Sequence, residues 1–336
     1  MVSASVKDVA ALAGVSVGTV SNVLNRPEKV SADVIARVQA AIDKLGFVRN
    51  DAARQLRAGR SRSIGLVVLD AANPFFTELA RGAEDKAAAE HYTVLVGNSN
   101  EDAGREAAYL DLFEQQRVRG VLLSPVGDVI PRLEQLRGRG IPTVLVDRQT
   151  ENLSFSSVAV DDLAGGQMAA AHLLSLGRRR IAFVGGPPGI RQVTDRLAGA
   201  QKAVYGVPGA ALEVVGTESL TVLSGRAAGE AIRRRPTELR PDAIFAANDL
   251  LAVGILQGLM LMGDVKVPEE IALIGYDDIE FAAAAVVPLS SIRQPSVLIG
   301  ATALELLLRE ASSEDGFMPT QIVFPPELVI RASTAG

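Results

Sequence analysis

The chain has 336 residues, 48% of them hydrophobic, no cysteine, and a formal net charge of -5. That length can bury about two or three cores, while the missing cysteines exclude disulfides, zinc-thiolate clusters and thiol nucleophiles. No apolar run approaches the roughly 18 residues of a membrane span, and polar residues stand where a signal peptide would be apolar, so a cytoplasmic protein with no membrane partner is expected.

Charge is distributed unevenly. Residues 1–60 hold nine lysines and arginines against five acids, a balance of +4, and the remainder holds 25 against 34, a balance of -9. A basic head on an acidic body points to a polyanion met by the head alone.

In chain order, Val6, Val9, Ala10 and Ala13, then Val17, Val20, Val23 and Leu24, recur at helical spacing. Gly14 suits the left-handed end of the first helix and Ser16 the cap of the second. A third helix starts at Ser31, buries Val34, Ile35, Val38, Ile42 and Leu45, and stops at Gly46. The third helix completes a core that the first two are too short to form. Such a helix-turn-helix places its second helix in the major groove of DNA. Its outward residues would be Ser16, Val17, Gly18, Thr19, Ser21 and Asn22, with Asn25 and Lys29 beside them. Thr19 and Ser21 suit phosphates, and Asn22 suits a bidentate pair with adenine. From spacing alone, a plain helical hairpin remains the alternative.

Residues 50–60, "NDAARQLRAGR", read as a short helix, would place Ala53 and Leu56 on one face and Arg54, Arg57 and Arg60 around it. This is either a minor-groove wedge held by arginines or a solvated linker. From Ser63 onward, strands near 63–70, 92–98, 120–125 and 143–147 alternate with helices near 74–90, 103–117 and 128–138. A second run follows, with strands near 180–186, 211–216, 243–249 and 271–278 and helices near 163–176, 193–204, 223–234 and 249–262. The fold class expected is α/β, a helix-turn-helix head followed by two doubly wound lobes with ligand edges at the carboxyl ends of their strands. The expected domains are 1–49 for the head, 50–60 for the hinge helix, 61–160 with 292–322 for one lobe, and 161–291 with 323–336 for the other.

Polar residues collect at those strand ends. They are Asn73 of "NPFF", Asp147 and Arg148 of "VDRQ", Arg196 of "DRLAG", Asn248 and Asp249 of "AANDLL", Asp277 of "GYDD" and Gln294 of "IRQP", with Phe75 and Phe76 as apolar partners. Carboxylates, amides and guanidinium grip vicinal hydroxyls while a ring covers a C–H face, the mixture a sugar requires. Each also has a plainer reading: Asp70, Asp161, Asp278, Asn248 and Asp249 as helix caps, Phe75 and Phe76 as core.

Taken together, "VKDVAALAGVSVGTVSNVLN", "AARQL", "NPFF", "DRLAG", "FAANDLLAVG", "IALIGYDDIEFA" and "PLSSIRQP" run collinearly from residue 6 to near 330. In these strings the chain resembles a full-length member of the LacI/GalR family of bacterial transcription regulators. The resemblance implies a hinge helix that orders on operator DNA, a core of periplasmic-binding-protein type with a monosaccharide effector between its lobes, and a homodimer as the assembly. It implies Leu56 as the minor-groove wedge and Val17, Gly18 and Asn22 as base-reading positions. Val17 and Gly18 offer no side-chain hydrogen bond, so readout leans on Asn22, on thymine methyl contact and on DNA shape. "NPFF" with "VDRQ" resembles the ribose-binding branch, which implies a pentose or deoxyhexose such as ribose or rhamnose, with purines and phosphorylated sugars as alternatives. No cofactor or metal is expected. A sugar hydrolase built on Asp277 and Asp278, or on Asp161 and Asp162, is the rival reading, but adjacent carboxyls on a strand point to opposite faces.

Overall fold

The computed structural model describes residues 4–47, 61–261, 265–312 and 317–335. They divide at Arg60 into two compact units. In the first, α1 (Val6–Ala13) is headed by Ser5, whose hydroxyl and backbone are bridged to Asp8 in a capping box, and it ends at Gly14 in the left-handed conformation. Ser16 caps α2 (Val17–Asn25), accepting from the Thr19 amide at 3.0 Å. Gly46 ends α3 (Ala32–Leu45). Val9, Ala10, Ala13, Val20, Val23, Val38 and Ala41 form their shared core. Such capping is worth about 1 kcal/mol per helix end, so helices too short to persist in isolation become stable once packed together. The hinge residues Ala53, Arg54, Leu56 and Arg57 lie outside the described residues.

The second unit contains two six-stranded sheets. The first comprises β1 (Ser63–Val68), β2 (Thr93–Asn98), β3 (Val121–Leu123), β4 (Thr143–Val146), β5 (Ser157–Val160) and β11 (Gln321–Phe324), in the order β11-β5-β4-β3-β1-β2, and it is parallel throughout. The second comprises β6 (Arg180–Gly185), β7 (Ala211–Gly216), β8 (Ala243–Ala246), β9 (Ala272–Asp277), β10 (Ser290–Arg293) and β12 (Glu327–Val329), in the order β12-β10-β9-β8-β6-β7. Only its β10–β12 pair is antiparallel. The central strands are buried on both faces, as the apolar runs of a covered parallel sheet require.

Helices α4 (Pro74–Ala89), α5 (Ala103–Gln115) and α6 (Ile130–Gly138) belong to the first lobe, and α7 (Asp162–Ser175), α8 (Arg191–Val204), α9 (Val222–Arg233), α10 (Asp249–Met260) and α11 (Glu280–Ala284) to the second. The long helix α12 (Ser296–Ala311) returns to the first lobe and packs on α4. Glycines let these helices approach closely. A Cβ placed on Gly82 would strike the Val297 carbonyl, and one on Gly300 the Leu79 carbonyl, across the α4–α12 crossing. Gly166 and Gly199 play the same part between α7 and α8, as do Gly225 and Gly254 between α9 and α10.

The lobe boundaries expected at 292 and 323 each shift by two residues. β10 continues through Arg293 in the second sheet and β11 through Phe324 in the first, because strand pairing extends to those residues. Elements also form at β5, β10, β11, β12, α11 and α12, where the sequence reading assigns none.

Candidate functional site

In the head, the exposed residues of α2 are Val17, Gly18, Asn22 and Asn25, with Ser16 at its cap and Lys29 beyond its end also exposed. Thr19 and Ser21 are half-buried, while Val20 and Val23 point into the core. The Asn25 side-chain Nδ2 donates to the Ser21 carbonyl at 2.8 Å, which ties down one end of that surface. The result is one helix face of small and amide side chains at the N-terminal turns, suited to close approach in a groove.

In the second unit, a cavity of about 30 Å³ lies between the two sheets, well below the several hundred Å³ of an open small-molecule site. Asn73, Phe75, Phe76 and Asp147 line it from the first lobe, Arg196, Asn248 and Asp277 from the second, and Gln294 from the connecting segment. All eight are among the residues expected from the sequence. Asp147 and Asp277 stand at the ends of β4 and β9 with φ of 55° and 105°, a left-handed backbone that costs a non-glycine residue of order 1–3 kcal/mol and is concentrated at functional sites.

Asn73 caps α4 by accepting from the Phe75 amide at 3.0 Å, and its Nδ2 donates to Asp277 Oδ2 at 3.1 Å across the cleft. Gln294 Nε2 donates to Asp277 Oδ1 at 2.8 Å. Asn248 caps α10 through the Leu251 amide at 2.9 Å and donates to the Leu220 carbonyl at 3.2 Å. Phe75 and Phe76 meet edge to face with ring centroids 5.0 Å apart. They are buried in the first lobe's core, and they also line the cavity.

Arg196 is the pivot of the second lobe's side. Its Nε donates to Asp162 Oδ1 at 2.7 Å and its Nη1 to the Ala247 carbonyl at 2.8 Å, and Asp277 Oδ1 is 3.8 Å from Nη1. The guanidinium carbon lies 3.7 Å from the centre of the Tyr276 ring, a cation–π stack of the desolvated kind. Burial works to lower the Arg196 pKa, but Asp162, Tyr276, Asp277 and Asp147 together outweigh it and hold the group charged. Burial pushes the Asp277 carboxyl up, against the pull of Arg196, Asn73 and Gln294. Burial raises Asp147 well above the usual carboxyl range, reinforced by the charge of Asp162.

Arg148, named for this cleft by its place next to Asp147, does not line it. Its side chain enters a neighbouring cavity with Asp128 and Arg191, where Nη2 reaches the Gly127 carbonyl at 3.4 Å. Successive side chains leaving a strand diverge, so adjacency in sequence does not give a shared site. Conversely, Gln192 is a cleft residue that the reading passes over. Its Nε2 donates to Asp147 Oδ2 at 2.8 Å and to the Asp147 carbonyl at 2.6 Å, joining α8 to the end of β4. A spacing of four residues from Arg196 on one helix is the signal that could have found it. Asp70, Glu101, Ile190 and Leu220 also line the cavity.

The acid pairs of the rival hydrolase reading are split. Asp161 caps α7 while Asp162 holds Arg196. Asp277 faces the cleft while Asp278 pairs with Arg293 and Arg331. His172 on α7 is half-buried, bonded through Nε2 to Thr334 Oγ1 at 2.8 Å, and its pKa is lowered by burial. Among the described residues no group of acids and histidines is arranged to hold a metal, and no helix is long and apolar enough to cross a membrane.

Residues 5–50 match the family model of bacterial regulatory proteins, lacI family, and residues 170–334 match that of the periplasmic binding protein-like domain. The chain is 37% identical over 306 residues to the ribose operon repressor of Bacillus subtilis, covering 91% of each protein. It belongs to the LacI family. Among solved structures, this LacI-family chain is similar to a LacI family regulator from Enterococcus faecalis V583 with bound ribose, with a TM-score of 0.72, 30% identity, and coverage of 81% of this chain and 98% of that one. It is similar as well to the lac repressor dimer bound to operator, with a TM-score of 0.82, 25% identity, and coverage of 99% of both chains. The LacI-type head and the periplasmic-binding-protein-like body expected from the sequence are therefore both present.

Proposed function

We propose that the chain is a homodimeric operator-binding repressor that acts in the cytoplasm and is released by a pentose or deoxyhexose, ribose before rhamnose, bound between its two lobes. The observation that carries the ligand class is the state of the cleft's acceptors: Asp147 Oδ1, Gln192 Oε1 and Gln294 Oε1 are buried without a hydrogen-bond partner. Buried acceptors left unpaired cost free energy that a ligand rich in hydroxyl donors relieves. Arg196, Asn248 and Asp277 supply the complementary polar edge, and Phe75 and Phe76 the apolar one. Similarity to a ribose operon repressor and to a ribose-bound regulator favours ribose.

In this reading Val17, Gly18 and Asn22 meet base edges, Ser16, Thr19, Ser21, Asn25 and Lys29 hold the backbone, and Leu56 wedges the minor groove between Ala53, Arg54 and Arg57. A two-fold dimer reads a pseudo-palindromic site. Ribose gripping both lobes favours the closed cleft, and operator affinity falls only to the extent that ribose prefers that state over the DNA-bound one.

Calorimetry with ribose, rhamnose and a purine base, paired with mobility shifts on candidate operators, tests this. Ribose should bind, and it should lower operator affinity. Asp277→Ala should weaken ribose at least about tenfold, in keeping with roughly 1.5–3 kcal/mol for a charge-assisted hydrogen bond. Tight purine binding without ribose binding would overturn the effector assignment, and the absence of any discrete operator would overturn the whole reading.

A further inference from the structure

Two carboxyls at the cleft have no part in the network around Arg196. Asp70 lies just past β1 and Glu101 just past β2, so the parallel register of these strands brings both to the same edge of the first sheet. Both are half-buried and both line the cavity. Their placement is built rather than incidental. Asp70 Oδ1 accepts from the Ala72 amide at 2.9 Å, and Asn98 Oδ1 accepts from the Ala71 amide at 3.3 Å and the Asn100 amide at 3.0 Å, tying the two loops together. Asn100 and Glu101 then take left-handed φ of 52° and 59°, and the Glu101 amide donates to the Leu69 carbonyl at 3.0 Å. A loop of two consecutive left-handed non-glycine residues is held against its own preference by these bonds.

The remainder of the cavity gives these two charges nothing to neutralise them. Its one basic lining residue, Arg196, is already engaged by Asp162 and stands 3.8 Å from Asp277. Arg148 and Arg191 face the neighbouring cavity. The helix starts that meet the cleft offer no free anion cradle either: α4 and α10 are capped by Asn73 and Asn248. The start of α8, which lacks a side-chain cap, faces Asp147 through Gln192. Burial, and then the charge of Asp70, raise the Glu101 pKa, as expected where two carboxyls share a partly desolvated wall.

Acid clusters are not sites by themselves. The independent sign of a ligand here is the set of buried, unpartnered acceptors, Asp147 Oδ1, Gln192 Oε1 and Gln294 Oε1, on residues no more than 5% exposed that line the same cavity. From this arrangement we infer that Asp70 and Glu101 are specificity determinants that bar phosphorylated sugars, so that the repressor answers to the free, uncharged monosaccharide and ignores its phosphate ester. The inference rests on the monosaccharide reading of the cleft. It places the effector before, not after, the phosphoryl-transfer step that would trap such a sugar in the cell. A phosphate dianion facing two carboxyls in a narrow cleft is opposed by like-charge repulsion, a means of exclusion that leaves neutral ligands untouched by that repulsion.

The test is calorimetry of the full chain with ribose and ribose 5-phosphate, and with glucose and glucose 6-phosphate, on the wild type and on the double variant Asp70→Asn, Glu101→Gln. The amides keep the acceptor of the Ala72 bond, and thermal melting reports whether the variant is folded. The expected result is that a free sugar binds the wild type at least about tenfold more tightly than its phosphate, and that the ratio shrinks about tenfold or more in the variant. If the variant fails to fold, the wild-type ratio and the two single variants decide. A wild type that binds both forms equally, or a ratio the variant leaves unchanged, overturns the inference while leaving the monosaccharide reading intact. If neither member of either pair binds, that reading falls and takes the inference with it.

Discussion

Asp249 shows how a side chain outside the cleft wall can set the cleft's behaviour. It is fully buried behind Asp277. Ser291 Oγ donates to its Oδ1 at 2.8 Å, and the Ile279 amide donates to its Oδ2 at 2.9 Å. It thereby holds the turn after Asp277 and Asp278, both in left-handed backbone. Burial, then the neighbouring charge of Asp277, raise its pKa well above the usual carboxyl range, and the two hydrogen bonds only partly oppose that. From about pH 4, where an unfolded aspartate releases its proton, up to the raised native value, the folded chain keeps a proton that the unfolded chain has lost. Stability therefore declines as pH rises through that window, by about 1.4 kcal/mol per pH unit for each proton so held. Asp249→Asn should remove one proton's share of the slope in urea titrations run at several pH values, and should leave the protein no less stable at pH 8. Asp147 and Asp277 retain theirs. An unchanged slope would show that Asp249 is already ionised in the native state.

Among the close helix crossings, one falls beside the site. Gly166 on α7 lies so near the Arg196 carbonyl that a Cβ would collide with backbone. The α7–α8 crossing thus fixes where the Arg196 backbone sits, and Asp162, from the first turn of α7, fixes where its guanidinium points. Gly166→Val should cost several kcal/mol in denaturant unfolding, in the range of overpacking or beyond it. Any folded fraction should bind effector much more weakly, since Arg196 is displaced with its helix. Gly127→Ala, where a Cβ meets nothing within 4 Å, is the control and should be nearly silent.

The same elements explain what a reader of the sequence can and cannot see. The α1, α2 and α3 boundaries are legible because Ser16, Gly14 and Gly46 act locally. β10 is not legible, since Ser290 and Ser291 look like loop residues. They are fully buried only because Ser333, Thr334 and Asp249, distant in sequence, satisfy their hydroxyls and amides. β5 is illegible for a different reason: Ser157 and Ala159 break up the run of large aliphatic residues that marks β3 and β4. In the cleft, the residues that end strands or cap helices are legible, while Gln192, which acts by reaching across to Asp147, carries no motif of its own.

The chain as a unit is built from bodies with separate cores, the small one around Val9, Val20 and Val38 and the larger ones on the two sheets. A ligand confined to the cleft stabilises only what it binds, by about 2.7 kcal/mol at a hundredfold excess over its dissociation constant. Scanning calorimetry of the full chain should therefore show ribose raising the main transition while leaving the melting of the head unshifted. A ribose-induced shift of both together would mean that the two units unfold as one.

The two strands nearest the carboxyl end have a consequence for biosynthesis. β11 closes the first sheet beside β5, and β12 closes the second beside β10. Neither lobe can finish its sheet until residues 321–329 have left the ribosome, although most of the first lobe is translated by residue 160. During that interval β5 is an open, apolar strand edge of the sort that invites wrong pairing. Premature termination a few dozen codons early would thus damage both lobes at once.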